Sequence, residues 1–402
     1  MKFNPFVPNG IAYPGMFIGR LEEIEEIEQA FFQTRNGNPQ HLLITGERGI
    51  GKTSLLNYAD FIARGEISDD DVDFNFLTVS TDVAGVGSQG GIVRQIGREL
   101  RSKLKLHEKL KARAAMVWEF VSQWEILGVA FRGREKEIDP DEALDDLVIL
   151  LSTIIDSDAF DGVAILLDEA DVPDSAVGLG EFLKICTERL AKRNCFKVIF
   201  ILAGQPILVQ RLRESHESSL RVVQILDMKP LEVAERHLVV ERGLEDANKQ
   251  NEVSTLINDD AKTLLADFSE GYPHFLQQFS YSSFEADDND EISREDVLTG
   301  AARENGAIEQ LGAKFFSDMY FSKISSDDYR RVLDFMAEHG DNWIARKEIV
   351  ESCGVTESVV NNALAALKKR GIILSDEARK GYYRLPTRSF ATWIVVSASA
   401  KR

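Results

Sequence analysis

Eight consecutive residues, Gly46-Glu47-Arg48-Gly49-Ile50-Gly51-Lys52-Thr53, fit the pattern G-x-x-x-x-G-K-[ST] without departure. No other stretch constrains the fold as strongly, because such a loop has to leave a strand, curl tightly and open a helix. The flanking residues agree. His41-Leu42-Leu43-Ile44-Thr45 is a short apolar run that reads as a strand, and Ser54-Leu55-Leu56-Asn57-Tyr58 carries helical spacing. The glycines let the backbone wrap a phosphate with its N–H groups pointing inward, and the helix adds the positive end of its dipole. Gly46, Glu47, Arg48, Gly49, Ile50, Gly51, Lys52, Thr53 and Ser54 are therefore the phosphate-side candidates. Lys52 is expected to reach the β- and γ-phosphates of ATP, and the Thr53 hydroxyl to ligate Mg²⁺.

A second element is Val163-Ala164-Ile165-Leu166-Leu167-Asp168-Glu169, an apolar strand ending in two carboxylates. Asp168 is placed to hold Mg²⁺ through water, and Glu169 to act as the base that polarises an attacking water. A third is the strand Lys197 to Ala203, followed by Gly204-Gln205-Pro206. Gln205 is the candidate for orienting that water or sensing the γ-phosphate; the alternative is an ordinary turn. Further strands are expected at Phe74 to Val79 and Val222 to Leu226, with helical patterns between. Alternation of this kind implies an α/β fold whose mostly parallel sheet is covered on both faces.

At 402 residues the chain is long enough for two or three domains. The alternation stops beyond Met228, which sets the core at 1–228, with an insertion at about 104–146. Within the insertion, Trp124 to Phe131 reads as a small hairpin. Asp139-Pro140-Asp141-Glu142 reads as a helix start, with Asp139 as N-cap. Helical patterns fill 229–322, a lid subdomain. The remainder, 323–402, reads helix (Asp328 to Glu338), helix (Arg346 to Ser352), Gly354 turn, helix (Thr356 to Lys369) and two short strands around Arg379-Lys380-Gly381. That order is a winged helix-turn-helix.

The chain carries 47 Lys+Arg against 66 Asp+Glu, a net charge of −19, which excludes broad electrostatic coating of nucleic acid or anionic membrane. Residues 326–402 alone hold 13 basic and 10 acidic side chains, so any DNA contact is local to that domain. In its third helix Val359, Val360, Ala363, Leu364 and Leu367 should face the core, leaving Ser358, Asn361, Asn362 and Lys368 outward. Asn can read adenine, and Arg379 or Lys380 can meet phosphate. Glu357 at the helix entrance repels phosphate, and strong DNA-reading helices carry more basic residues. The balance favours a protein-facing or autoinhibitory surface over a DNA reader. Cys186, Cys195 and Cys353 lack metal or disulfide spacing, and no apolar run approaches the ~20 residues of a membrane span. A reduced, cytoplasmic protein is expected.

Phe17-Ile18-Gly19-Arg20 ahead of the phosphate loop, Asp168-Glu169 after it, Gly271-Tyr272-Pro273 in the helical part and the winged helix behind give the chain a family likeness. From about Pro14 to Trp393 it resembles the archaeal-type P-loop ATPases of the STAND class, related to the origin-recognition branch of the AAA+ ATPases. The resemblance implies that Ile18, Gly19 and Arg20 lie on the adenine side and that Pro273 lies over the nucleotide. Where many AAA+ proteins place a sensor arginine beside that proline, this chain has His274. The family also donates an arginine finger between subunits, from a region that here holds Arg211, Arg213 and Arg221; of these, Arg213 and Arg221 are the candidates. The function so implied is an ATP-binding and ATP-hydrolysing switch that controls a homo-oligomer or a separate effector protein, in a signalling, mobile-element or anti-phage setting. The rival is a DNA-binding ATPase of the origin- or transposon-targeting type.

Overall fold

The computed structural model describes residues 2–10, 17–67, 73–106, 140–376 and 379–398. The hairpin expected at Trp124 to Phe131 and the Asp139 cap lie outside the described residues, whereas the helix after them does start at Pro140. The chain divides into two compact units, Gly19–Lys229 and Pro230–Arg402, the second including Met1–Ile18.

The first unit runs α1 (Leu21–Arg35), β1 (His41–Thr45), α2 (Lys52–Ala63), β2 (Phe76–Asp82), α3 (Gln89–Leu106), α4 (Pro140–Ile155), β3 (Gly162–Asp168), α5 (Leu179–Lys192), β4 (Val198–Gly204), α6 (Ile207–Ser215) and β5 (Val223–Asp227). The strands form one sheet in the order β2-β3-β4-β1-β5, and every pairing is parallel. β1 and β4 are buried along their whole length, and β3 up to Asp168, as strands must be when helices cover both faces. Leu43, Ile165, Phe200 and Leu202 share one apolar cluster with Ile96 of α3, Leu147 of α4 and Phe182 of α5. Their strand neighbours Leu42 and Ile44, which point to the other face, are equally buried. β4 lies between β1 and β3, with Thr45 opposite Gly204 and Leu167 opposite Leu202, so the three loops that follow these strands leave from one edge.

His41, at the start of β1, is 6% exposed; its Nδ1 accepts the Phe200 N–H at 3.1 Å. Burial lowers its pKa from 6.5 to about 4. The folded protein holds this imidazole neutral while the unfolded chain protonates it below about 6.5, so its contribution to stability is full above that pH and is lost as the pH falls towards 4.

The second unit is largely helical. Its elements are α7 (Val233–Gln250), β6 (Leu256–Ile257), α8 (Asp259–Ser269), α9 (Pro273–Phe284), β7 (Glu291–Ile292), α10 (Arg294–Ala302) and α11 (Ala307–Leu311), continuing through Ser322. Then come α12 (Asp327–Glu338), β8 (Ile344–Ala345), α13 (Arg346–Ser352), α14 (Glu357–Lys369), β9 (Leu374–Ser375), β10 (Tyr382–Arg384) and α15 (Arg388–Trp393). β6 pairs with β7, and β8, β10 and β9 form an antiparallel three-stranded sheet. On α14, Val360, Ala363, Leu364 and Leu367 are buried, while Ser358, Asn361, Asn362 and Lys368 are exposed.

Two features of this unit differ from the sequence expectation. The segments 229–322 and 323–402, read as separate domains, share one buried core that includes Phe279, Leu311, Phe316, Leu333, Phe390 and Trp393. The physical reason is aromatic: Phe316 stands 5.1 Å from the Phe390 ring and 6.0 Å from Trp393. Glu270 adds a polar staple by accepting the Arg388 and Ser389 N–H groups at 2.9 and 2.7 Å, at the first turn of α15. At the expected boundary, Tyr320 Oη donates to Asp334 at 2.6 Å. The first 18 residues, read as part of the core, instead join this unit. Phe6 is buried against Gly243, Phe3 N donates to Asn251 at 2.7 Å, and Val7 N donates to Gln277 at 2.8 Å.

Replacing His41 by Gln retains a polar acceptor and removes the titration. Between pH 6.5 and 4 the parent should lose up to about 3 kcal/mol more stability than the variant, as measured by urea unfolding across that range.

Candidate nucleotide site

Gly49 and Gly51 hold φ of 84° and 103°, backbone conformations that favour glycine, and they turn the chain from β1 into α2. Gly51 is the N-cap of α2, and no side chain caps that terminus. Leu55 N already bonds to Gly51 O at 2.9 Å, so the N–H groups of Lys52, Thr53 and Ser54 are the helix donors left for an anion. Lys52 is half-buried beneath the loop and donates from Nζ to the carbonyls of Gly46 at 2.9 Å and Glu47 at 2.8 Å. Burial lowers its pKa, while Asp171, Asp168 and Glu47 act in the opposite sense. The loop is also tied to the sheet, since Met228 N donates to Thr45 O at 2.8 Å.

Thr53 Oγ1 donates to Asp168 Oδ2 at 2.7 Å, so a residue of α2 and the last residue of β3 face each other directly. A hydroxyl and a carboxylate at this separation suit Mg²⁺, a hard cation that keeps several waters and takes few protein ligands. Among the described residues no group of three or more His, Cys, Asp and Glu is placed to hold a metal. Thr53 and Asp168 therefore fit the ion as a pair, alongside phosphate oxygens and water.

Glu169 follows at φ 50°, a left-handed conformation unusual for a residue with a side chain, and its N–H donates to Asp168 Oδ1 at 2.8 Å. Its pKa is raised, by desolvation first and then by Asp82, Asp168 and Asp171. Higher proton affinity makes a carboxylate a stronger base, the property needed to polarise water. Asp82 ends β2 in register with Asp168, so the parallel pairing itself delivers this neighbour.

Gln205 leaves the end of β4 and donates from Nε2 to Asp171 Oδ2 at 2.9 Å. Asp171 is 6% exposed. Arg211 on α6 donates from Nη1 to the carbonyls of Val172 and Pro173, both at 2.8 Å, and to that of Asp171. The side chains of Arg213 and Arg221 are exposed and make no hydrogen bond or ion pair among the described residues.

The adenine-side residues separate. Arg20, 7% exposed at φ 69°, donates from Nη1 to Glu23 at 3.2 Å and from Nη2 to Ile50 O at 3.3 Å, bracing the phosphate loop from behind. Gly19 begins the first unit; Ile18 is the last residue of the N-terminal stretch of the second, where it packs on that unit's core. Pro273 opens α9 in the second unit, and the His274 ring lies 4.8 Å from Phe315. Asp171, the bracing role of Arg20 and the loop contacts of Arg211 are not legible in the sequence. The only available signal for Asp171 is a third acidic residue in Asp168-Glu169-Ala170-Asp171.

Residues 16–182 match the family model of the AAA ATPase domain. The match covers the stretch that carries the phosphate loop and the Asp168–Glu169 pair, and it is a similarity to that family. Solved structures extend the likeness to the whole chain. The ORC2 protein of Aeropyrum pernix, in its ADPNP–ADP complexes, is 14% identical, with a TM-score of 0.63 over 100% of this chain and 99% of that one. A Walker-type ATPase of Pyrococcus abyssi is 16% identical, with a TM-score of 0.56 over 94% and 96%. CDC6P of Pyrobaculum aerophilum is 14% identical, with a TM-score of 0.52 over 99% and 97%. At these identities the likeness is one of fold. No curated protein matches the sequence.

If Arg20 braces the phosphate loop, Arg20→Ala strands the buried Ile50 carbonyl and should lower stability by about 1–3 kcal/mol in urea unfolding. Unchanged stability with altered preference between ATP and GTP would instead make it a base contact.

Proposed function

We propose that this protein is an ATP-hydrolysing molecular switch. The observation that carries the reading is the convergence of Lys52, the Thr53–Asp168 pair and Glu169 at one edge of the parallel sheet. The backbone N–H groups of the loop and of α2 bind the phosphate chain, and Lys52 exchanges its carbonyl partners for the β- and γ-phosphates. Thr53 and Asp168 would hold Mg²⁺, which when bound would supply positive charge against the phosphates. Glu169 accepts a proton from the attacking water, and Gln205 orients that water.

Arg213 and Arg221 are proposed as donors to the site of a second copy, because both are exposed and unengaged. Arg211 is occupied with the Asp171–Pro173 carbonyls and drops out as a finger. The responding body is the whole C-terminal unit, since its shared core leaves no hinge at 323. We assign the switch to control of self-assembly or of an effector protein, in the manner of STAND ATPases serving signalling, mobile-element or anti-phage systems. Three buried free cysteines fit the reduced cytoplasm, and no helix among the described residues is long and apolar enough to cross a membrane.

The order of helices and small sheet in 327–384 supports a winged helix, and its surface favours protein over DNA. Arg346 is bonded to Glu357 at 2.5 Å and to Asn361 at 3.0 Å, and Arg379 to Asp376 at 2.6 Å. Two of the groups suited to DNA, Asn361 and Arg379, are thus engaged internally.

Lys52→Ala should reduce ATP turnover at least about 10²-fold and weaken binding, while Glu169→Gln should retain binding and lose turnover. Parental phosphate release by both variants would refute the site.

A variant lacking Arg213 or Arg221 keeps its own pocket, and Lys52→Ala keeps its arginines. Mixing these two inactive proteins should therefore restore part of the phosphate release. No recovery where mixed oligomers are shown to form would make the switch act within a single chain.

A further inference from the structure

We infer that Asp171 is a positioning residue for ATP hydrolysis: it fixes the side-chain amide of Gln205, while Arg211 fixes the loop that carries Asp171. The inference rests on the ATPase reading proposed above and adds two residues to it. The 2.9 Å contact to Asp171 Oδ2 is made by the Gln205 amide nitrogen, a donor that needs an acceptor such as a carboxylate oxygen. Nε2 is turned towards Asp171, and Oε1 is left to accept from another donor. A water molecule is such a donor, whereas a γ-phosphate oxygen is not. Of the two roles open to Gln205, orienting the attacking water is the one this geometry selects.

The support for Asp171 is rigid on every side. Ala170 N donates to Ala203 O at 2.9 Å, which binds the start of the loop to β4, the strand that presents Gln205. Gly204 approaches so closely that a Cβ there would stand 2.9 Å from Asp171 Oδ1 and 3.0 Å from its backbone nitrogen. Arg211 then gathers the carbonyls of Asp171, Val172 and Pro173 under one guanidinium. Three carbonyls converging on one cation hold this loop in a single shape, and α6, which bears Arg211, begins three residues after Gly204. The two loops from β3 and β4 are thus bonded to each other, carboxylate to amide and backbone to backbone. Misplacing a water-orienting group by about 1 Å can cost on the order of 10²-fold in rate, so such bracing has a kinetic consequence.

The test combines a double-mutant cycle with a readout that needs no nucleotide. ATP affinity and turnover are measured for the parent, Asp171→Asn, Gln205→Ala and the double variant, with thermal unfolding to confirm that each is folded. Asp171→Asn should lower kcat about 10- to 100-fold with ATP affinity no weaker than the parent's. The double variant should be no slower than Gln205→Ala, because Asp171 acts through Gln205. In protein labelled with ¹⁵N-glutamine, the side-chain amide signal that Gln205→Ala deletes should shift in Asp171→Asn and, to a smaller extent, in Arg211→Lys. Multiplicative losses in the cycle, or an unmoved amide signal, would overturn the inference. A parent that binds ATP without turning it over would defeat the hydrolytic reading and the kinetic role together, while the amide signal would still decide whether the pairing exists.

Discussion

The placement of β4 between β1 and β3 is the constraint on which the site depends. Each parallel pairing fixes a register, and registers add across the sheet: Thr45 is level with Gly204, and Asp82 is level with Asp168. The loops after β1, β3 and β4 therefore meet although the first is more than 100 residues from the other two in sequence. Lys52, Asp168, Glu169 and Gln205 need no long-range instruction of their own, because the buried apolar strands behind them supply it. Continuous burial also makes slippage costly, since a shift of one residue would move every side chain to the other face.

A second constraint governs the C-terminal unit. Phe316, Phe390 and Trp393 pack the helical segment against α12 and α15, and Glu270 closes the exposed donors of α15. Burial of aromatic surface on this scale outweighs the freedom a linker at 323–326 would have given. The N-terminal strap is built into the same unit through Phe6 and Asn251. The polypeptide consequently passes between the two units twice, at Ile18–Gly19 and at Lys229–Pro230.

The sequence made local chemistry legible and tertiary chemistry opaque. Motif residues from Gly46 to Thr53 announce a loop between strand and helix because backbone sterics allow few other sequences there. The five strands of the parallel sheet were readable from apolar runs, with ends displaced by three residues or fewer, as at Phe76–Asp82 against the expected Phe74 to Val79, whereas the two-residue strands β6, β7 and β8 were not. The buried face of α14 followed from its spacing, except that Val359 is only half-buried. What escaped depends on groups brought together from different elements. Arg20 looks like any cation before a helix until Ile50 folds over it, and Asp171 looks like a surface acid until β4 arrives beside it. The shared core of 229–322 and 323–402 escaped for the same reason, since a tight helix-turn-helix pattern says nothing about what its first helix packs against.

Charge bears on how the proposed site would take a triphosphate. Asp82, Asp168 and Asp171 all act on Glu169, and Asp171 and Asp168 also act on Lys52. Adding a triphosphate to four carboxylates is unfavourable unless positive charge accompanies it. The loop's N–H groups and the dipole of α2 offset part of that repulsion, and a divalent cation held by Thr53 and Asp168 would offset more. In the proposed reaction the charge on the transferred group spreads over its oxygens, and two arginines near the site are already engaged, Arg20 with Ile50 and Glu23 and Arg211 with the Asp171 loop. Arg213 and Arg221 are uncommitted and lie on the surface. Under the function proposed above, an arginine of a second copy would supply that charge, and the rate of hydrolysis would then report on whether a neighbour has arrived.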